Sequence, residues 1–324
     1  MKISVMKFGG IALANPHNQS MVIDIITASK NKNIIICSAM GRMGYAYSTD
    51  SLLELVTGNI TLKERDRLLA CGEIISSIRL SSLLNEKMNA YALSCNEIGI
   101  LCDNNYGKGN IKSFIISHIE QLLQKYDNLI IPGFIALSNE REVITLGRGN
   151  SDLSAVVIAT NLGLSKTTLY KDVAGVYHTS PSQYQQFYKY EFISYDEMLA
   201  LNHIGFQLVS EQAIIEAKKN NLIVEIKSFK ENISGTLISS KAADEIYLGF
   251  NFDKKMVYIA TFFPCLVKEQ LAQMLANNHI FIKNEVIEKD YYAFEISKSV
   301  QNIIKKLLLS CFKPNSAQKM TEKQ

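Results

Sequence analysis

No apolar run in this 324-residue chain approaches the length that crosses a bilayer, so no membrane-spanning helix is expected. No two cysteines stand in a C-x-x-C pair. The six, at positions 37, 71, 95, 102, 265 and 311, are dispersed, which points to buried thiols in a reducing compartment rather than disulfides. The five histidines show neither H-x-x-x-H nor H-E-x-x-H spacing, so a metal cage built from protein ligands is not indicated. Charge of one sign is not in excess either: 34 basic against 31 acidic residues give a net +3, without a nucleic-acid footprint. The start "MKISVMKFGG" lacks the h-region and cleavage site of a signal peptide, and a cytoplasmic protein is expected. No short-period repeat or low-complexity tract is present.

What remains has the composition of an ordinary folded protein, 47% hydrophobic and 20% charged. Short apolar runs alternate with longer amphipathic stretches to about residue 240. "ISVMKF", "NIIICSA", "AYALS", "NLIIPGFIAL" and "TTLYKDV" read as strands. "HNQSMVIDIITASK", "DSLLELVTG", "KERDRLLACGEIISSIRLSSLLNEK", "IKSFIISHIEQLLQKY", "DLSAVVIATNLG" and "SYDEMLALNHIG" read as helices. This alternation predicts an α/β fold with a mostly parallel sheet between helices. From about residue 245, after a linker "SSKAADE", the pattern becomes β-α-β-β-α, a small α+β domain over 245–312. Residues 313–324 are expected to be a disordered, solvated tail.

In an open parallel sheet, ligands bind beyond the carboxyl ends of the strands. The glycines and charges of this chain gather at such places. Lys7-Phe8-Gly9-Gly10 follows the first strand, and its glycines would let backbone N–H groups approach a phosphate beside a lysine point charge. The order is neither that of a Walker loop nor G-x-G-x-x-G. "SAMG" follows the second strand, with Thr49 and Asp50 downstream; "TLGRGNSD" and "YKDVAGVY" follow later ones. Taken singly, each also fits a plain strand-end turn with an N-capping Ser or Asp.

Together, in this order, "KFGG", "CSAMG", "CGEIIS", "PGFIA", "TLGRGNSD", "LYKDVAGVY", "YDEMLALNHIG" and "SGTLI" resemble the aspartate kinases, within the amino acid kinase family. The resemblance covers residues 1–240 closely and 245–312 more faintly, where it suggests a single ACT-like, ferredoxin-like regulatory unit. It implies a three-layer α/β/α amino acid kinase fold. It also implies ATP- and Mg2+-dependent phosphorylation of the L-aspartate β-carboxylate, a step toward lysine, threonine and methionine, by a cytoplasmic homodimer. Residue by residue, it implies Lys7 and Asp152 as catalytic groups. Ser38, Thr49, Glu73, Arg148 and Ser151 would bind substrate, Glu73 through the ammonium and Arg148 through the α-carboxylate. Lys7, Gly9, Gly10, Lys171, Asp172, Tyr177 and Lys230 would hold ATP.

The chain departs from the family pattern in four places. Ile11 and Ala12 stand where hydroxyl residues usually follow "KFGG". Asn150 replaces a glycine, and its tolerance of positive φ is expected to preserve the turn. Ser180 and Ser182 replace an aspartate and an arginine of the nucleotide loop. The C-terminal region has room for about one ACT unit, with Cys265 where a glycine is usual, so weakened amino-acid inhibition is expected. A kinase of another small carboxylate and a non-catalytic ligand-binding homologue stay open beside an active aspartate kinase.

Overall fold

The computed structural model of the chain describes residues 2–179, 186–311 and 317–321; Ser180 and Ser182 lie outside them. In chain order the elements begin with β1 (Ile3–Phe8), α1 (Pro16–Thr27), β2 (Lys32–Cys37), α2 (Thr49–Glu54), α3 (Leu62–Leu84), β3 (Ala90–Ala92), β4 (Ile100–Cys102) and β5 (Ile111–Phe114). There follow α4 (Ile116–Lys125), β6 (Asn128–Pro132), β7 (Ile135–Leu137), β8 (Val143–Thr145), α5 (Ser151–Asn161), β9 (Lys166–Lys171), β10 (Gln186–Tyr190), β11 (Phe192–Ser194), α6 (Tyr195–His203) and α7 (Glu211–Lys219). The remainder comprises β12 (Ile223–Ser228), β13 (Thr236–Ser239), β14 (Gly249–Asp253), β15 (Met256–Ala260), α8 (Pro264–Asn277), β16 (Lys283–Ile287), β17 (Tyr291–Glu295), α9 (Gln301–Cys311) and β18 (Ala317–Thr321). Two compact units divide the chain: Met1–Ala174 with Gln212–Gly235, and Gly175–Glu211 with Thr236–Gln324.

In the first unit six strands run β12-β9-β1-β2-β6-β3, every neighbouring pair parallel. Their continuous Ile, Leu and Val runs are buried on both faces, as a parallel sheet between helices requires. Met6, Phe8, Ile35, Cys37 and Ile130 share one core with Val22 and Ile26 of α1 and Leu80 and Leu84 of α3. Successive side chains of a strand point to opposite faces, so Lys7 projects from the other side of β1. There α5 packs on β1, β2 and β9. The layers are therefore helix, sheet, helix.

Local chemistry starts these helices. Asn15 caps α1, accepting from the Asn18 N–H at 2.9 Å, with Pro16 in the first turn. Thr61 and Glu64 form a capping box on α3. A second, four-stranded sheet, β5-β4-β7-β8, hangs on α3 through buried Asp66, which accepts from the backbone of Gly107 and Thr145 and from the Thr145 hydroxyl at 2.7 Å.

The structure corrects the sequence reading at two places here. The helix read over 111–126 is strand β5, paired antiparallel with β4, followed by α4 from Ile116. Val143–Thr145, which none of the strands or helices read from the sequence includes, is strand β8, paired antiparallel with β7. Thiol burial is also uneven: Cys37 and Cys102 are buried, but Cys71 and Cys265 are exposed free thiols.

In the second unit, β14-β15-β17-β16 form an antiparallel sheet. Its core joins Phe250, Val257, Ile259 and Phe294 to Val267 and Leu271 of α8 and Ile304 and Leu308 of α9. Strand β14 adds a sixth element ahead of the β-α-β-β-α pattern formed by β15, α8, β16, β17 and α9. Ala317–Thr321, within the segment expected as a tail, pairs antiparallel with β10. Among the described residues no helix is long and apolar enough to cross a membrane.

Candidate functional site

Strand order reverses beside β1, with β2 on one side and β9 on the other, and the charged residues collect at the carboxyl ends of these strands. Lys7 comes from the end of β1 and Lys171 from the end of β9. Asp152 comes from the first turn of α5, where the helix dipole favours a carboxylate. Lys7 Nζ lies 2.8 Å from Asp152 Oδ1, and Lys171 Nζ lies 2.8 Å from Oδ2 and 3.1 Å from Oδ1. All three side chains are nearly out of water, at 6%, 13% and 3% exposure for Lys7, Lys171 and Asp152. Burial alone would raise the Asp152 pKa; the two ammoniums and their hydrogen bonds outweigh it and hold the carboxyl below its usual range. Burial and the neighbouring Lys7 charge pull Lys171 down to about 8, against the opposing pull of Asp152. Two cations on one carboxylate leave an excess of positive charge in a low-dielectric niche, a setting suited to anionic groups.

A second group gathers around the end of β2. Glu73, buried in α3, accepts from the Ala39 N–H at 2.9 Å through Oε1, while Oε2 has no hydrogen-bond partner among the described residues. Burial pushes this carboxyl up to about 8. The Ser38 hydroxyl donates to that of Ser151 at 3.2 Å, joining the ends of β2 and α5. Thr49 opens α2 beside Asp50, whose carboxylate pairs with the Arg148 guanidinium. The "GRG" turn places positive φ at Gly147 (+95°) and Gly149 (+79°). Asn150 therefore needs none, and the expectation of positive φ there is corrected: its φ is −86°. Its amide instead donates to Leu146 O at 2.7 Å and to Gln212, which ties the turn to α7.

Gly9, Gly10, Lys171 and Asp172 line a cavity of about 150 Å³ together with Ile11, Ala12, Arg42, Tyr170 and Phe229. A Cβ on Gly10 would lie 2.4 Å from Gly41 O and 2.5 Å from Ala39 O, so the loops after β1 and β2 can close on each other only with glycine at this position. Arg42 Nη2 stands 3.8 Å from Asp172 Oδ2 and is otherwise largely exposed. Arg42, Tyr170 and Phe229 escaped the sequence reading, although Arg42 follows "SAMG" directly and Phe229 follows β12. Lys230 is exposed, its ammonium 5.6 Å from the centre of the Phe229 ring. Tyr177 belongs to the second compact unit and is buried there. Among the described residues no group of three or more His, Cys, Asp or Glu is placed to hold a metal.

The sequence model of the amino acid kinase family matches residues 2–228. The chain is 30% identical over 318 residues to Aspartokinase 2 of Bacillus subtilis (strain 168), covering 91% of this chain and 76% of that protein. It is 32% identical over 256 residues to Aspartokinase of Geobacillus stearothermophilus, 76% of this chain but only 61% of that longer protein. In fold it is similar to E. coli aspartokinase III, solved in complex with aspartate and ADP, with a TM-score of 0.67 at 18% identity over 99% of this chain and 86% of that one.

Proposed function

The chain belongs to the amino acid kinase family, and we propose on that premise that it is an aspartate kinase. It would move the γ-phosphoryl group of ATP to the β-carboxylate of L-aspartate, giving 4-phospho-L-aspartate and ADP and opening the route to lysine, threonine and methionine. The observation that carries the proposal is the buried Lys7–Asp152–Lys171 array. Phosphoryl transfer asks mainly for positioning and for neutralisation of charge on the transferring group. Asp152 holds the two ammoniums in fixed positions, and Lys7 faces the group in transfer. The Glu73 carboxylate, with Oε2 unpaired among the described residues, suits the aspartate ammonium. Arg148 offers a fork for the α-carboxylate, exchanging Asp50 for it, and the hydroxyls of Ser38, Thr49 and Ser151 line the approach.

On the nucleotide side, the backbone of Gly9 and Gly10 with Arg42 and Lys171 would face the phosphates. Asp172 and Lys230 complete the ATP contacts in this proposal. Both oxygens of Asp152 are already engaged by lysines, and the cavity wall adds no carboxylate besides Asp172. The donor set thus fits Mg2+ held chiefly by the phosphates, where it would offset their charge. The division into a kinase domain over 1–240 and an ACT-like unit over 245–312, and assembly as a cytoplasmic homodimer, belong to the same proposal. The α+β elements of 249–311 support its second part.

Ile11 and Ala12 in the cavity wall favour one other reading, a homologue that binds ligand without turnover. A hydroxamate assay with ATP, Mg2+, hydroxylamine and either aspartate or another small carboxylate decides. Aspartate-dependent product is expected; product with another small carboxylate alone would make the chain a kinase of that acceptor, and a folded protein silent with every carboxylate offered would leave the non-catalytic reading.

Two substitutions should separate the substrates. Arg148→Lys keeps charge but loses the fork, so the KM for aspartate should rise about tenfold or more with that for ATP little changed. Arg42→Ala should do the reverse, and steady-state titration of each substrate checks both. An ATP effect from Arg148 would reverse the placing of the substrates.

A further inference from the structure

Away from the catalytic array, the first unit carries a second cavity of about 710 Å³ between the start of α1, the middle of α3 and the loop after β2. Its walls are largely apolar: Met40, Tyr45, Tyr47 and Ile78 face it. One charged side chain lines it, Arg79 of α3, and no carboxylate does. The guanidinium is held by buried Gln19 of α1, whose Oε1 accepts from Arg79 Nε at 3.1 Å. Gln19 is itself fixed, donating to Leu13 O at 2.8 Å and to Met40 Sδ at 3.8 Å. The two Nη groups have no protein partner among the described residues, and Arg79 makes no ion pair there.

We propose that this cavity binds a small apolar monocarboxylate, its carboxylate on the Arg79 Nη groups and its hydrocarbon body against Met40, Tyr45, Tyr47 and Ile78. The volume falls within the roughly 300–1,000 Å³ of small-molecule sites, whose walls are mostly apolar with few oriented polar groups. Charge complementarity selects the headgroup, because an oriented guanidinium edge matches a carboxylate in two parallel hydrogen bonds. Arg79, Tyr45, Tyr47 and Ile78 are exposed along an open groove, and with no acidic group in the wall a free α-amino acid would gain no ion pair for its ammonium. An occupant would touch Met40, and its neighbour Ala39 donates its N–H to Glu73, so the cavity shares a loop with the candidate active site. The inference stands apart from the aspartate kinase proposal, since it needs no turnover.

Calorimetric titration of the full chain with 3-phenylpropionate tests it, with 3-phenylpropanamide and phenylalanine as controls. Saturable one-to-one binding is expected for the acid, and about ten- to a hundredfold weaker binding for both controls. Arg79→Met, which keeps the stem and drops the charge, should weaken the acid by the same factor. Ser82→Trp, at the cavity wall, should block it, and thermal melts confirm that both variants fold. Three results would overturn the proposal: no saturable binding by the folded native chain up to about 10 mM acid, equal binding by the acid and its amide, or unchanged binding by Arg79→Met. Light scattering supplies a fourth: if Ser82→Trp splits a native dimer, the groove is a self-interface instead.

Discussion

Replacement of Lys7 by alanine is expected to lower kcat by about a thousandfold or more while the protein still folds. The structure gives reasons for both halves. Lys7 is buried at the end of β1 with its ammonium on Asp152, so its charge acts undiluted by water on any phosphoryl group brought to that point. That charge matters most when negative charge is spread over the transferring oxygens, so kcat should fall more than the KM for aspartate rises. Folding should survive because Asp152 keeps Lys171 as a partner at 2.8 and 3.1 Å. The stability loss should therefore stay below the roughly 3–5 kcal/mol that follows when a buried charge is left wholly unpaired. A thermal melt beside single-turnover kinetics reads the two effects separately. Near-normal kcat in a folded variant would remove Lys7 from the mechanism.

That Lys7 and Asp152 share one edge of the sheet was legible in the sequence, because both stand at strand-to-helix crossings and such crossings line one edge of a parallel sheet; their joint role came from the family resemblance. The third member was legible only as a residue, not as a partner. Lys171 was assigned to the nucleotide; its side chain also reaches Asp152, because β9 lies beside β1 in parallel register, Lys7 opposite Leu169. Strand order is a long-range property that no local pattern carries. The same holds for Ile111–Phe114: its apolar spacing runs on smoothly into α4, and only pairing with Ile100–Cys102 makes it a strand. Asn150 shows the converse. Its place in a glycine-rich turn suggested positive φ, but the two flanking glycines already supply it, and the amide is used for packing against Gln212. Arg42, Tyr170 and Phe229 join the cavity beside Gly9 and Gly10 from three separate strand ends; the first two lie in or next to stretches already marked by glycines and charges, but which neighbour of a marked residue lines a cavity depends on strand order and loop path.

Glu73→Gln is the sharpest test of the substrate side, and its effect should depend on pH. Burial lifts the Glu73 carboxyl to about 8, above its ordinary value of 4.5, so the free protein near neutrality holds a proton there. An ammonium is bound well only by the ionised form. Binding of aspartate must then release that proton, and kcat/KM for aspartate should rise about tenfold per pH unit up to about 8 before levelling. Lys171, drawn down to about 8 by burial, loses its charge above that point, which should add a falling alkaline limb. The glutamine variant keeps the shape and the acceptor for the Ala39 N–H but has no charge to offer. Losing one partner of a buried charge pair costs about 2–5 kcal/mol, so the KM for aspartate should rise at least thirtyfold. The acid limb should vanish with it, while the alkaline limb stays. Lys171→Arg should do the opposite, moving the alkaline limb up because a guanidinium does not deprotonate in this range. An acid limb that persists unchanged in Glu73→Gln would assign the proton to another group and leave the substrate ammonium without Glu73 as its partner.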